Sequence, residues 1–302
     1  YQALSALTTG DGNVAIGYQA MLANTTSGGN VAIGQQAGDA NLSGGSNVWV
    51  GRNAGGATTD VDSTVCIGRD AGQANMTSAA DGTIAIGYSA LTALTSGSGN
   101  IAIGFNAGKA LVGPPGNTIL GYAALDVATT TQYCTVIGWN AMGAIPASQA
   151  IEYVIAIGTE AVKGSGSTTT GINGTIAIGE SAGKSLTTGV GNTLVGYACG
   201  DAINSGQYNT VMGRHALGVA TTASGSVAIG YQTGNTISTG NQNIAIGYDA
   251  MQGGTVTGDN NIAIGVSAGD ALTSGYENVL MGRDAGGALN TGHTNALIGR
   301  NA

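Results

Sequence analysis

The sequence is poor in charge: eight Lys+Arg and 16 Asp+Glu make up only 8% of its 302 residues, and the formal net charge is −8. Eight basic side chains cannot build the broad positive surface that nucleic acid needs, so nucleic acid is not an expected partner. Aromatic residues are as scarce, at 5% with one phenylalanine, and there are only three prolines. That composition argues against an ordinary globule. No apolar run approaches the ~20 residues that span a bilayer, and no signal-peptide pattern opens the chain, so no membrane insertion is expected in this segment.

What the chain does have is glycine, 55 residues of it, alongside a hydrophobic content of 42%. A chain this apolar can bury enough surface to offset backbone entropy, which excludes disorder. The glycines follow no Gly-X-Y period, which excludes collagen. There remains a fold that turns sharply at short intervals and needs only small cores between turns.

The interval can be counted. An apolar tetrapeptide ending in glycine, as in Val14-Ala15-Ile16-Gly17, recurs along the whole chain. Its glycines are Gly17, Gly34, Gly51, Gly68, Gly87, Gly104, Gly121, Gly138, Gly158, Gly179, Gly196, Gly213, Gly230, Gly247, Gly265, Gly282 and Gly299. Of the 16 spacings 12 are 17 residues, so the register is not accidental. The residue before each glycine is Ile, Val, Leu or Met, and the residue three before is Val, Ile or Thr in all coils but the last, which has Ala296. Alanine most often stands between them. This alternation marks a short strand, and its aliphatic residues are expected to line the interior. Four before the glycine, asparagine stands in 11 of 17 coils and is expected to form a stacked ladder.

Seventeen residues have room for two short strands and two tight turns, with a core completed only by stacking on neighbours. The expected fold is therefore all-β, a parallel β-solenoid of about 17 coils with a 17-residue repeat. It runs as one continuous array over residues 1–302, about 80 Å long at ~4.8 Å per coil. Tyr1 enters in mid-repeat, as expected of a fragment of a longer fibre. Extra residues are expected to bulge as loops around Thr58–Thr64, Ala144–Tyr153 and Gly164–Gly174.

Local motifs carry little chemistry. Gly-x-Ser-x-Gly occurs around Ser181 and Ser267, but the repeat itself supplies those glycines, and His215 and His293 belong to other coils. Cys66 and Cys199 take alanine positions and read as small buried hydrophobes, and the three cysteines lie too many coils apart for a bridge. Asp39, Asp201 and Asp270 share a repeat position without a calcium-solenoid string. No catalytic residue, cofactor or metal is assigned, and an enzyme is not expected.

One array stands out. The position just after the repeat glycine holds Tyr18, Tyr88, Phe105, Tyr122, Trp139, Tyr197, Tyr231 and Tyr248, together with every arginine: Arg52, Arg69, Arg214, Arg283 and Arg300. Guanidinium and aromatic groups stack face to face. The row reads first as an internal ladder sealing an edge, then as an interface with identical chains, and last as a surface that grips a sugar or another receptor.

The string Asn13-Val14-Ala15-Ile16-Gly17-Tyr18-Gln19-Ala20 and its copies resemble the head repeats of trimeric autotransporter adhesins. They are still more similar to the Asn-x-Ala-Ile-Gly arrays of phage and other viral tail fibres. The resemblance covers essentially the whole chain. It implies a parallel β-roll with three chains side by side, serving as the shaft or head of a virion fibre or cell-surface appendage. The expected setting is extracellular. Identical chains are the expected partners, with a host-surface glycan or receptor as a further one.

Overall fold

The computed structural model of the chain describes residues 2–147, 149–164 and 169–302. It is an all-β parallel solenoid with a 17-residue repeat, and among the described residues the one helical turn is the 3-10 segment Ser78–Ala80. The chain divides into two compact units, residues 1–152 and 153–302. Each coil contributes one three-residue strand, from β1 (Val14–Ile16) to β8 (Thr135–Ile137) in the first unit and from β9 (Ile155–Ile157) to β17 (Ala296–Ile298) in the second. Within each unit successive strands pair in parallel and in strict register, as in Val31↔Val48, Ala32↔Trp49 and Ile33↔Val50.

Two strands per coil were expected and one is found. The remaining sides are chains of turns, yet they too are hydrogen-bonded from coil to coil. Met21 N–H donates to Ala37 O at 2.9 Å, Gly38 to Ala54 at 3.0 Å, and Gly55 to Ala71 at 2.9 Å. Left-handed residues at the corners, such as Gln19, Met21 and Gln36, bend the backbone too sharply for a second regular strand. The loop expected at Thr58–Thr64 is absent, because that coil has the ordinary length and buries Thr58, Val61 and Thr64. The extra residues instead enter the next coil, where Ser78–Ala80 absorb them. The expected loop at Gly164–Gly174 lies in part outside the described residues.

The strand faces are the reverse of those expected. The central residue points inward: Ala32, Trp49, Cys66, Ala85, Ala102, Ile119 and Val136 in the first unit are fully buried, as are Ala156 to Leu280 at the same position in the second. The aliphatic residues on either side point out. They still form rows, in register along the outer sheet surface, but the core lies behind them. The reason is volume. A coil this short leaves an interior one or two side chains wide, which alanine rows such as Ala37, Ala54 and Ala71 already line.

Where a large residue does enter, glycine makes room. The Trp49 indole lies between Gly38 and Gly55, and a side chain on either would fall inside the ring. Leu194 fits between Gly183 and Gly200, and Leu280 between Gly269 and Gly286, in the same way. The repeat glycine has a different role. All 17 have φ between 129° and 142°, and a Cβ at Gly51 would come within 2.7 Å of the Gly68 carbonyl carbon. Only a residue without Cβ lets the coils close up there.

The asparagine ladder forms as expected. Asn47 donates its backbone N–H and its Nδ2 to Asn30 Oδ1 at 2.9 and 3.1 Å, and its Nδ2 also donates to Val61 O at 2.7 Å. The pattern repeats from Asn243 through Asn261 and Asn278 to Asn295. Each amide satisfies the backbone of the turn entering the strand, which buried polar groups require.

Candidate interaction surfaces

Three surfaces follow from this geometry, and all lie on or beside the strand. The first is the outer sheet face. Its aliphatic residues are partly open, Ile33 at 37% and Leu120 at 43% in the first unit, and Ile178 at 38% and Met212 at 44% in the second. Parallel pairing places them coil over coil without interruption within each unit. Contiguous apolar surface of this kind exceeds the scattered exposure usual on a soluble protein.

The second surface is the aromatic and arginine row just past each glycine. Its eight aromatic residues are between 36% (Tyr231) and 53% (Tyr248) exposed, so the row is not an internal seal. In the first unit Arg69 lies over Tyr88 at 5.4 Å, and Tyr88, Phe105 and Tyr122 continue as a face-to-face stack with centroids 4.9 and 5.1 Å apart. In the second, Arg214 lies 5.4 Å from Tyr197 and 6.0 Å from Tyr231, which stacks on Tyr248 at 5.2 Å. The coil spacing of ~4.8 Å sets this distance. Stacking has a chemical consequence: the ring faces are taken by neighbours, and the stack presents edges and hydroxyls outward.

The third surface, at the opposite edge of the strand, lies five and six residues before the glycine and was not anticipated. The nearer position is left-handed in every described coil and is often glycine. Tyr133 and Tyr208 occupy it with φ of 54° and 56°, and their rings use the room left by Gly116 and Gly191 in the preceding coils. A bulky residue in that conformation costs backbone energy, so its persistence calls for a compensating contact. The sequence signal was available: tyrosine stands in a column of glycines. Tyr276 and His293 stack at 4.7 Å on the same edge. Apart from Pro115, Val190 and Tyr153, the other non-glycine residues here are polar or acidic. Asp62 N–H donates to Asp81 Oδ1 at 2.8 Å, and Asn241 N–H to Asp259 Oδ1 at 2.6 Å.

The remaining sequence motifs stay apart. Ser181 and Ser267 sit on left-handed corners with φ of 57° and 53°, but so do Asn53, Asp70 and His215 at the same repeat position. The sharp turn is thus a property of the repeat. His215 packs edge-on against Tyr197 at 5.2 Å. All three cysteines are free and buried, and burial pushes the Cys66 and Cys199 thiols up to about 12. Burial also raises the Asp39 and Asp201 carboxyls above the ordinary range. Among the described residues, no three His, Cys, Asp or Glu side chains come together as a metal-binding group. The tightest ionic cluster joins Glu160 to Lys163 at 2.7 Å and Lys184 at 2.6 Å. Those two hydrogen bonds hold the Glu160 carboxyl down at about 2.

Compared with known proteins, the chain matches no family model, no curated protein and no solved structure.

Proposed function

We propose that this chain is a structural module of an extracellular fibre, a shaft or head carried by a virion or a cell-surface appendage, which assembles side by side with identical chains as a homotrimer. The outward aliphatic face carries the reading. A solenoid that only needed to fold would gain nothing from Ile, Val, Leu and Met on the solvent side of every strand. Such rows become useful when another surface covers them. The covering surface must repeat at the coil spacing over many coils, and a second copy of this chain does so without further design. The function is then mechanical, with stability accumulating from neighbour to neighbour.

A receptor-binding role for the aromatic and arginine row is less well supported. Sugar recognition through ring faces needs those faces free, and in the runs from Tyr88 to Tyr122 and from Tyr231 to Tyr248 they are stacked on each other.

Sedimentation velocity tests the proposal. The intact chain is expected to sediment as an oligomer. Ile33→Glu with Ile67→Glu and Ile103→Glu should shift it to monomer while preserving the β-sheet circular-dichroism spectrum. A wild-type chain that is monomeric at micromolar concentration would remove the basis of this reading.

A further inference from the structure

The two edges of the sheet face differ in where their cations stand. All five arginines stand on one rim, the position after the glycine. The other rim, five and six residues before the glycine, holds Asp11, Asp62, Asp81, Glu152, Asp259 and Glu277 and no Lys or Arg. At the arginine position itself the only acid is Glu180, level with Asn173 and Gly174 in its own coil, while Asp70, Glu160, Asp249 and Asp284 stand one residue further on. At the arginine position no coil sets acid against acid.

Within one chain these rims cannot meet. Asp62 and Arg69 lie on either side of strand β4 (Val65–Ile67), seven residues apart, a span of at most roughly 23 Å that the left-handed Ser63 shortens without folding the two ends together. Two copies can bring them together. When chains related by rotation about an axis parallel to the stacking direction face each other, the right rim of one meets the left rim of the next. Coil then lies beside the same coil. An antiparallel arrangement would instead place arginine rim against arginine rim.

We infer that copies of this chain associate parallel and in register, with the arginine and aromatic rim of each docking on the acidic and tyrosine rim of its neighbour. This rests on the proposed side-by-side assembly and specifies its geometry. In the first unit Arg69 is level with Asp62, one coil from Asp81. In the second, Arg283 is level with Glu277 and Tyr276, and Arg214 with Tyr208. The arginines are exposed and their own-chain ion pairs are local, Arg69 with Asp70 at 3.0 Å and Arg283 with Asp284 at 3.3 Å. A guanidinium retains further donors and an aromatic-stacking face beyond one such contact. The left-handed backbone at Tyr208 holds a large ring on the rim opposite Arg214, where its hydroxyl can accept a guanidinium N–H that the flanking Tyr197 and Tyr231 rings leave free.

Cysteine cross-linking tests this. The double variant Asp62→Cys with Arg69→Cys cannot close within a chain, because a disulfide needs Cα atoms within about 7 Å. Under mild oxidation it should give covalent dimers and trimers on non-reducing gels, and neither single variant should. Glu277→Cys with Arg283→Cys repeats the test in the other unit, should the first pair disturb folding. Cross-linking by Arg69→Cys or Arg283→Cys alone would show like rims meeting and overturn the inference. So would absent cross-links in chains that still sediment as oligomers, an outcome that leaves the assembly itself standing. A monomeric wild type would defeat both.

Discussion

Seven residues past the repeat glycine, the first coils carry Asn24, Asn41 and Thr58, whereas later ones carry Leu186, Ile203, Ile237 and Leu272. Every one of these side chains is fully buried. The early corner is held by hydrogen bonds around one hydroxyl. Ser27 Oγ donates to Asn24 Oδ1 at 2.8 Å and accepts from Asn41 Nδ2 at 3.0 Å and from Asn30 Nδ2 at 3.2 Å. Thr58 Oγ1 donates to Gly55 O at 2.6 Å. The later corner is held by aliphatic packing. The backbone ladder is the same in both regions, so coil geometry does not depend on the chemistry of this corner, provided that each buried polar group finds a partner.

If the backbone ladder defines the coil, the same glycine change should be equally severe in both regions. Gly51→Ala and Gly265→Ala each force a Cβ against the next coil at φ of 136° and 140°, and each should cost about 3 kcal/mol or more. Hydrogen exchange in the flanking coils reads the loss, and a mild effect at one site alone would break the equivalence. Exchanging the corner chemistry should come next. Leu272→Asn removes a buried aliphatic and leaves an amide without partners, at about 3–4 kcal/mol by denaturant unfolding. Asn41→Leu leaves the buried Gly44 N–H, which donates to Asn41 Oδ1 at 3.1 Å, without that partner and takes one donor each from Ser27 Oγ and the Gly44 carbonyl, and should cost about 1–3 kcal/mol. A more stable Asn41→Leu chain would mean that the polar corner does not hold its coils together.

Acid should separate the regions more gently. The Ser27 network contains no group that titrates. Glu160 in the second unit is held at about 2 against an ordinary 4.5 by its two lysines. A depressed carboxyl contributes fully above 4.5, and the contribution disappears as pH falls toward 2. Solvent around Lys184 limits it to roughly 1 kcal/mol. Exchange rates near Glu160 should therefore rise over that window, and Glu160→Gln should abolish the change.

Much of this was legible in the sequence, because stacking forces chemically equivalent positions to recur every 17 residues. The strand, the repeat glycine and the asparagine ladder could each be placed by counting. The direction of the strand faces could not, since alternation reports two faces without saying which is covered. The clue lay in the volumes: large residues at the strand centre, Trp49, Leu194 and Leu280, coincide with glycine four past the repeat glycine in their own coil and in the one before. The aromatic and arginine row was located by its register, but its exposure depends on where the corner turns. The tyrosine and acidic rim was missed because its members vary, and what unites them is the left-handed position five before the glycine, which each member either occupies or precedes.

The buried asparagines also have a sense of direction. At each step the acceptor belongs to the earlier coil and both donors to the later one, from Asn30 with Asn47 to Asn278 with Asn295. A nascent chain leaves the ribosome amino end first, so every completed turn awaits its successor with an unfilled carbonyl oxygen. Winding can then keep pace with translation, and no stretch of glycine-rich polypeptide need linger unfolded.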